Sequence, residues 1–291
     1  MQVWDHRHSL ISFVGALVVW IAAGIVGSHL RFPTEGTVGG ALLAAIFYYF
    51  NMRRYFLRRR WIRGPFPETW RAALRKHVAY YRRLTDAEKS RFERDIVIFL
   101  RENRITGVET EVDDVIRLLV AASAIMLIFG RPDWEYRALP EILIYPRSFD
   151  SEYKTVSHPR KRTLAGILVP QNAIVLASDQ LFSAFAEPAE AHHVGLHEFA
   201  HALDMADNRA EGIPRDLDPA VIREWVDLMK TEFRKVREDR SVLDPYAGKN
   251  LAELFAVAVE HFFQRPRELK AQHSQLYNAL SKFFHQDPLA R

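Results

Sequence analysis

The chain has 291 residues, 48% hydrophobic and 26% charged, with 13 Gly, 14 Pro and no cysteine. This length and composition exclude disordered, collagenous and repeat architectures and are ample for a core that needs neither disulfide nor metal to stay folded. Without cysteine, thiol catalysis, disulfide frameworks, iron–sulfur clusters and cysteine-based zinc sites are excluded, which leaves His and carboxylates as the metal ligands to look for.

The net charge of +4 is unevenly distributed. Residues 53–83 hold eleven Arg and Lys against one acid, Glu68, whereas residues 84–291 carry a net −6. The high pI therefore belongs to one segment, and no nucleic-acid-binding face is expected of the folded body.

In chain order, Ser9 to Leu30 runs 22 residues without Asp, Glu, Lys or Arg, long enough for a bilayer core of about 30 Å. A cleaved signal peptide is the alternative, with Asp5-His6-Arg7 as its charged start and Val26-Gly27-Ser28 as its small-residue site. The apolar run is long for that, and a second follows directly. Gly36 to Met52 is uncharged over 17 residues, with Tyr48, Tyr49 and Tyr55 as an interfacial belt and Pro33 in the intervening turn. Together the two runs predict a pair of transmembrane helices, a hairpin that fills residues 1–61 with its basic juxtamembrane segment. The cluster Arg53, Arg54, Arg58, Arg59, Arg60 and Arg63 places both termini on the cytoplasmic side of the inner membrane by the positive-inside rule. Such a cluster also attracts anionic headgroups.

Pro65-Phe66-Pro67 closes the anchor. Residues 62–291 then read as one further domain, helical over 62–134 and catalytic over 135–291. Helices are predicted over Glu68 to Arg83, from a Thr85…Glu88 capping box through Leu100, and over Val112 to Phe129. The last is uncharged for only 13 residues, Leu118 to Gly130, which suits a buried core helix better than a span. Strand-like text follows at Glu141 to Tyr145, Gly166 to Val169 and Ala173 to Leu176, and the rest is helical, an α+β pattern.

His197-Glu198-Phe199-Ala200-His201 is an HExxH pentad. On a helix its two imidazoles share a face and can hold one ion, while Glu198, one step round, reaches a water bound to it. A catalytic zinc takes three protein ligands and keeps one position open. Downstream, Asn250 to Phe263 reads as a helix carrying Glu253 and Glu260 seven residues apart, and spacing alone does not choose between them.

The string His197 to Asp204, followed by Tyr246-Ala247-Gly248-Lys249-Asn250-Leu251-Ala252-Glu253-Leu254-Phe255-Ala256, resembles the Mlc titration factor A family of zinc peptidases and is similar to the catalytic domain of anthrax lethal factor. Glu141 to Pro146 and Gln286 to Arg291 carry the same resemblance, which covers roughly residues 66–291 and leaves the hairpin without a counterpart. It implies a zincin-like metallopeptidase domain with one Zn2+ per chain bound by His197, His201 and Glu253. Glu198 is then the general base, and Tyr246 lies over the metal and donates to the oxyanion. Asp204, three beyond His201, is expected to orient an imidazole or to serve as a cap. His158 is a further metal contact implied by the resemblance, although Pro159-Arg160-Lys161-Arg162 beside it departs from the family's text.

His193 falls four residues before His197, but three such histidines spread too far along a helix axis for one ion; His192 and His193 are expected to support rather than ligate. Gln171 to Ser178 is read either as an edge strand that could hold a substrate through main-chain bonds or as an interior strand. The expectation is thus a membrane-anchored zinc metallopeptidase acting on a peptide or protein substrate, with endopeptidase and aminopeptidase action both open. The alternative that the family suggests is a membrane-tethered protein that captures a transcriptional regulator, with peptidase activity secondary.

Overall fold

A computed structural model describes residues 1–136, 139, 141–147, 173–186, 192–204, 211–214 and 216–290, with backbone alone at 163–164 and 167–168. The chain divides into two compact units, Met1–Pro65 and Phe66–Arg291.

The first unit is a pair of antiparallel helices. Asp5 opens α1 (His6–His29) by accepting the N–H groups of Arg7 and His8, and Pro33 sits at the first position of α2 (Pro33–Trp61), where its missing N–H costs nothing. Small residues set the approach of the two helices. A Cβ on Gly27 would stand 2.6 Å from the Gly36 Cα, and one on Gly40 would stand 2.7 Å from the Ala23 Cβ, so only hydrogen fits at these crossings. The indole of Trp20 donates to the Thr37 carbonyl at 3.0 Å, and Ser9 and Tyr48 share a hydroxyl bond of 3.0 Å. The outer faces are apolar and open: Leu10, Phe13, Leu42 and Phe50 are all at least 60% exposed.

Two spans are expected from the sequence; among the described residues one helix, α1, is long and apolar enough to cross a membrane. The physical reason lies in α2. Its 29 residues begin with Glu35 in the first turn and end in a basic run, so its uncharged part stops at 17 residues, short of about 20 for a span.

The second unit is mostly helical around a small sheet. The helix expected over Glu68 to Arg83 is broken into α3 (Glu68–His77) and α4 (Ala79–Arg82) by Val78, whose backbone is extended. α5 (Asp86–Glu102) opens with both bonds of the Thr85/Glu88 capping box. A three-residue strand, β1 (Ile105–Gly107), leads to α6 (Asp114–Ile128), capped by the Asp113 side chain on the Ile116 N–H. Every residue of α6 from Leu118 to Ile128 is buried. An all-round apolar helix is stable only inside a core, and α6 lies against α3, α5, α7 and α8.

β2 (Ile142–Tyr145) follows. β3 (Thr163–Leu164) and β4 (Ile167–Leu168) pair antiparallel. β5 (Ile174–Ala177) completes a parallel sheet of order β1-β2-β5, in which Ile142 pairs with Ile105 on one side and Ile174 on the other. β2 and β5 are buried along their whole length, as parallel strands covered on both faces are. In the described sheet β5 is an edge, although residues 171 and 172 of the expected strand lie outside the described residues.

α7 (Ser178–Ala186) and α8 (Val194–Asp204) follow the sheet, and a 3-10 turn at Pro219–Val221 precedes α9 (Ile222–Arg237). A second 3-10 turn, Pro245–Gly248, leads into α10 (Leu251–Gln264), α11 (Pro266–Gln272) and α12 (Ser274–Phe284). α10 is buried from Ala252 to Phe263. Around it the rings of Trp225, Phe255, Phe262, Phe263, Phe283 and Phe284 meet at centroid separations of 4.8–6.2 Å, the range in which edge and offset ring contacts are favourable.

Candidate metal centre

α8 is seated by its first turn. The Nδ1 of His193 accepts the Leu196 N–H at 3.2 Å, three residues on, which is the bond of an N-cap. Gly195 lets the helix lie on α6: a Cβ there would stand 2.2 Å from the Ser123 hydroxyl. α10 packs against α8, and its own cap, Asn250, accepts the Glu253 N–H at 2.9 Å. Glu253 therefore stands in the first turn of a fixed helix, facing the second turn of another.

Three ligand-type atoms converge there. The Glu253 Oε2 is 3.1 Å from His197 Nε2 and 3.2 Å from His201 Nε2, and the two Nε2 atoms are 3.2 Å apart. A tetrahedral zinc with bonds of about 2.0–2.1 Å holds its ligands about 3.3 Å from one another, so this triangle fits the ion, and two imidazoles with one carboxylate are a catalytic zinc donor set. The three residues are the group able to hold a metal among the described residues. All three are at most 8% exposed.

Glu260, two turns along α10, addresses the same imidazole from behind. Its Oε1 accepts from His197 Nδ1 at 2.7 Å and its Oε2 accepts the His193 N–H at 2.5 Å. Accepting the Nδ1 proton orients the ring and leaves Nε2, the atom that faces Glu253, as the position that would bind a metal once it gives up its own proton.

Burial penalises the charged form of Glu253, but hydrogen bonds from His197 and His201 outweigh it and hold the carboxyl well below the usual range. Burial likewise opposes charge on His197, and Glu260 followed by Glu253 outweigh it and raise the imidazole well above its ordinary value. Glu198 is half-buried and its Oε1 has no hydrogen-bond partner among the described residues. Burial pushes its carboxyl up against the pull of His197 and His201, the direction that suits a group exchanging protons near neutrality.

Tyr246 comes from the 3-10 turn before α10, held by Asp244, which accepts the Tyr246 N–H at 2.8 Å. The phenol donates to Glu253 Oε1 at 3.3 Å and accepts from the Lys249 ammonium at 3.2 Å. Its ring centroid lies 6.2 Å from that of His197. Lys249, not singled out in the sequence, also approaches Glu253 Oε1 at 3.6 Å; its position three after Tyr246 and four before Glu253 is the signal that could have found it.

The geometry thus brings His197, Glu198, His201, Tyr246 and Glu253 together. The Asp204 Oδ2 accepts the Gly212 N–H at 2.9 Å, tying the end of α8 to the following segment. His193 is the cap of α8, and His192 is exposed, with its Nε2 3.4 Å from Asp244. His158 lies outside the described residues.

The model of the glucose-regulated metallo-peptidase M90 family matches residues 52–285. An uncharacterized protein of Synechocystis is 30% identical over 244 residues, covering 77% of this chain and 86% of the relative. Mlc titration factor A of Pectobacterium atrosepticum is 30% identical over 243 residues, 77% of this chain and 88% of that protein. The Escherichia coli K12 titration factor A is 28% identical over 230 residues, 72% and 83% of the two chains. With a family model covering most of its length and relatives aligned across the same domain, the chain belongs to the glucose-regulated metallo-peptidase M90 family.

Proposed function

We propose that this chain is a zinc-dependent peptidase carried on a membrane by its N-terminal hairpin. The observation that carries the reading is the triangle of His197 Nε2, His201 Nε2 and Glu253 Oε2 with edges of 3.1–3.2 Å, beside a Glu198 carboxylate whose Oε1 has no partner among the described residues. Zinc bound there would polarise a peptide carbonyl and make water acidic enough to attack it. Glu198 takes the proton of the attacking water and delivers it to the leaving amine. The Tyr246 hydroxyl donates to the carbonyl oxygen as charge grows on it. Lys249, bonded to the phenol oxygen, holds that hydroxyl so that its proton points away from the ammonium. Glu260 fixes His197, and Asp204 fixes the end of α8.

The apolar outer faces of α1 and α2 support lipid as their surroundings, with α1 crossing and α2 packed along it. The arginines at the end of α2 favour the cytoplasmic side for the peptidase unit. The test of the enzyme reading is Glu198→Gln in the full chain: metal content and thermal unfolding unchanged, cleavage of a peptide library lost. Cleavage persisting in that variant would exclude Glu198 as the base.

A second reading is favoured by the relatives named as Mlc titration factor A: the unit captures a transcriptional regulator at the membrane. Under that reading partner capture survives Glu198→Gln, whereas under the first reading only cleavage is at stake.

A further inference from the structure

Apart from the metal centre, the second unit contains a cavity of about 730 Å3 near the start of α8, within the size range of small-molecule sites. None of His197, Glu198, His201, Tyr246 or Glu253 lines it. Part of its inner wall is apolar and buried, with Met126, Ala184, Phe185 and Phe263 each at most 9% exposed, and the buried side chains of Gln286 and His193 complete it. Its rim is cationic. Arg83, Arg265 and Arg267 stand around it with one acid, Glu268, and Glu268 is occupied by Arg265 at 3.3 Å. Arg83 and Arg267 are exposed and make no ion pair among the described residues.

An unpaired surface arginine is ordinary; here two stand beside one concave chamber and meet no carboxylate among the described residues. A guanidinium offers a planar fork that matches a carboxylate. The wall also contains His193, 1% exposed, whose Nδ1 accepts the Leu196 N–H, so that the proton of the neutral ring sits on Nε2. That Nε2 has no hydrogen-bond partner among the described residues.

We propose that this cavity binds a small carboxylate with an apolar body, the body against Phe185 and Phe263 and the carboxylate at Arg83 and Arg267. The ligand chemistry is shared by the C-terminal end of an apolar peptide and by a short fatty acid. The site borders the metal centre through one residue, because the His193 N–H is held by the Glu260 carboxylate that also holds His197. It does not depend on the peptidase reading.

The experiment is calorimetric titration of the full chain with N-acetylphenylalanine and with hexanoate, each beside its neutral amide. Both carboxylates should bind saturably, their amides at least about tenfold more weakly, and Arg83→Gln with Arg267→Gln should weaken the carboxylates by a similar factor. Both arginines are exposed, so the double variant keeps its fold, checked by its unfolding temperature. A carboxylate could also sit on zinc, and the titration is therefore repeated with chelator and in Glu253→Ala; binding should persist. The tighter of the two probes names the source, peptide end or fatty acid. Binding that ignores the arginine substitutions, that inorganic phosphate matches, that disappears in Glu253→Ala, or that is absent in wild type would overturn the proposal.

Discussion

Two buried histidine–carboxylate constellations occupy the second unit, and their difference shows what marks a metal site. In one, the Nδ1 of His273 donates to Glu232 Oε2 at 2.5 Å, and its Nε2 accepts the Ser241 hydroxyl at 3.1 Å. The Ser241 Oγ in turn accepts the Leu243 N–H at 3.2 Å, and Lys235 supplies Glu232 Oε1 at 2.8 Å. The groups form a line in which each donor meets one acceptor. In the other, around His197, the carboxylate Glu260 also takes an Nδ1 proton, but beyond the ring the line ends in three atoms converging within 3.2 Å. Lone pairs so placed repel unless positive charge lies among them. The first arrangement anchors the segment that leads to Tyr246; the second is a donor set that could hold a cation.

The sharpest way to break this comparison is to remove the group that only the second constellation needs for chemistry. Glu198→Gln should lower kcat for peptide cleavage by about 10²–10⁴-fold, the range for a lost general base, with metal content unchanged; a loss of metal instead would make Glu198 a ligand.

Next in size is a change confined to the anchor. His273→Ala leaves Glu232, 1% exposed, with Lys235 as its remaining partner, and should cost about 3 kcal/mol of stability, the lower end for a broken buried pair. Denaturant unfolding measures it, and metal stoichiometry should not change. The anchor also carries a pH signature. Burial raises the Glu232 carboxyl, but bonds from His273 and Lys235 outweigh it and set it below its ordinary value. A carboxyl depressed in this way contributes stability that is present above its unfolded pKa and is lost as pH falls through the folded one. Acid unfolding should therefore begin at higher pH in Glu232→Gln, which lacks this contribution at neutrality.

Glu260→Gln probes the shared feature. It removes the charge behind His197 and one of two accepted bonds, and should weaken metal affinity by about 10–100-fold, as loss of a group orienting a ligand does. Competition with a chelator of known affinity reads it. The smallest effect is protonic: because Glu260 and Glu253 raise the His197 pKa against burial, a metal must displace a proton there, and affinity should rise by about tenfold per pH unit near neutrality. A flat profile would mean that His197 binds no proton in the free protein.

Much of the candidate site's geometry is legible in the sequence. The HExxH spacing places two imidazoles on one helix face, and the string from Tyr246 to Ala256 marks the partner helix. Spacing alone did not choose between Glu253 and Glu260, since residues seven apart share a face and lie about 10 Å apart along the axis; only the family resemblance singled out Glu253. Tertiary packing separates them: α10 passes α8 so that one carboxylate meets the Nε2 end of His197 and the other its Nδ1 end. The same argument explains His193, whose helical spacing resembles a ligand's but whose position just before Val194 makes it a cap.

In the fold, α6 declared itself because a run of 13 uncharged residues has no place but a core. β1 did not, because Ile105-Thr106-Gly107 is too short to show a period and gains its strand only by pairing with β2. The break at Val78 was hidden for a related reason: its side chain is fully buried, and packing rather than local propensity ends α3 there.

The measurement that tests the account most directly is zinc content of the purified full chain, wild type beside Glu253→Ala and His273→Ala, with peptide cleavage assayed on the same samples. The account predicts one zinc per chain in wild type and in His273→Ala, and loss of both zinc and cleavage in Glu253→Ala. Zinc retained at full stoichiometry in Glu253→Ala, or absent from wild type, would contradict it.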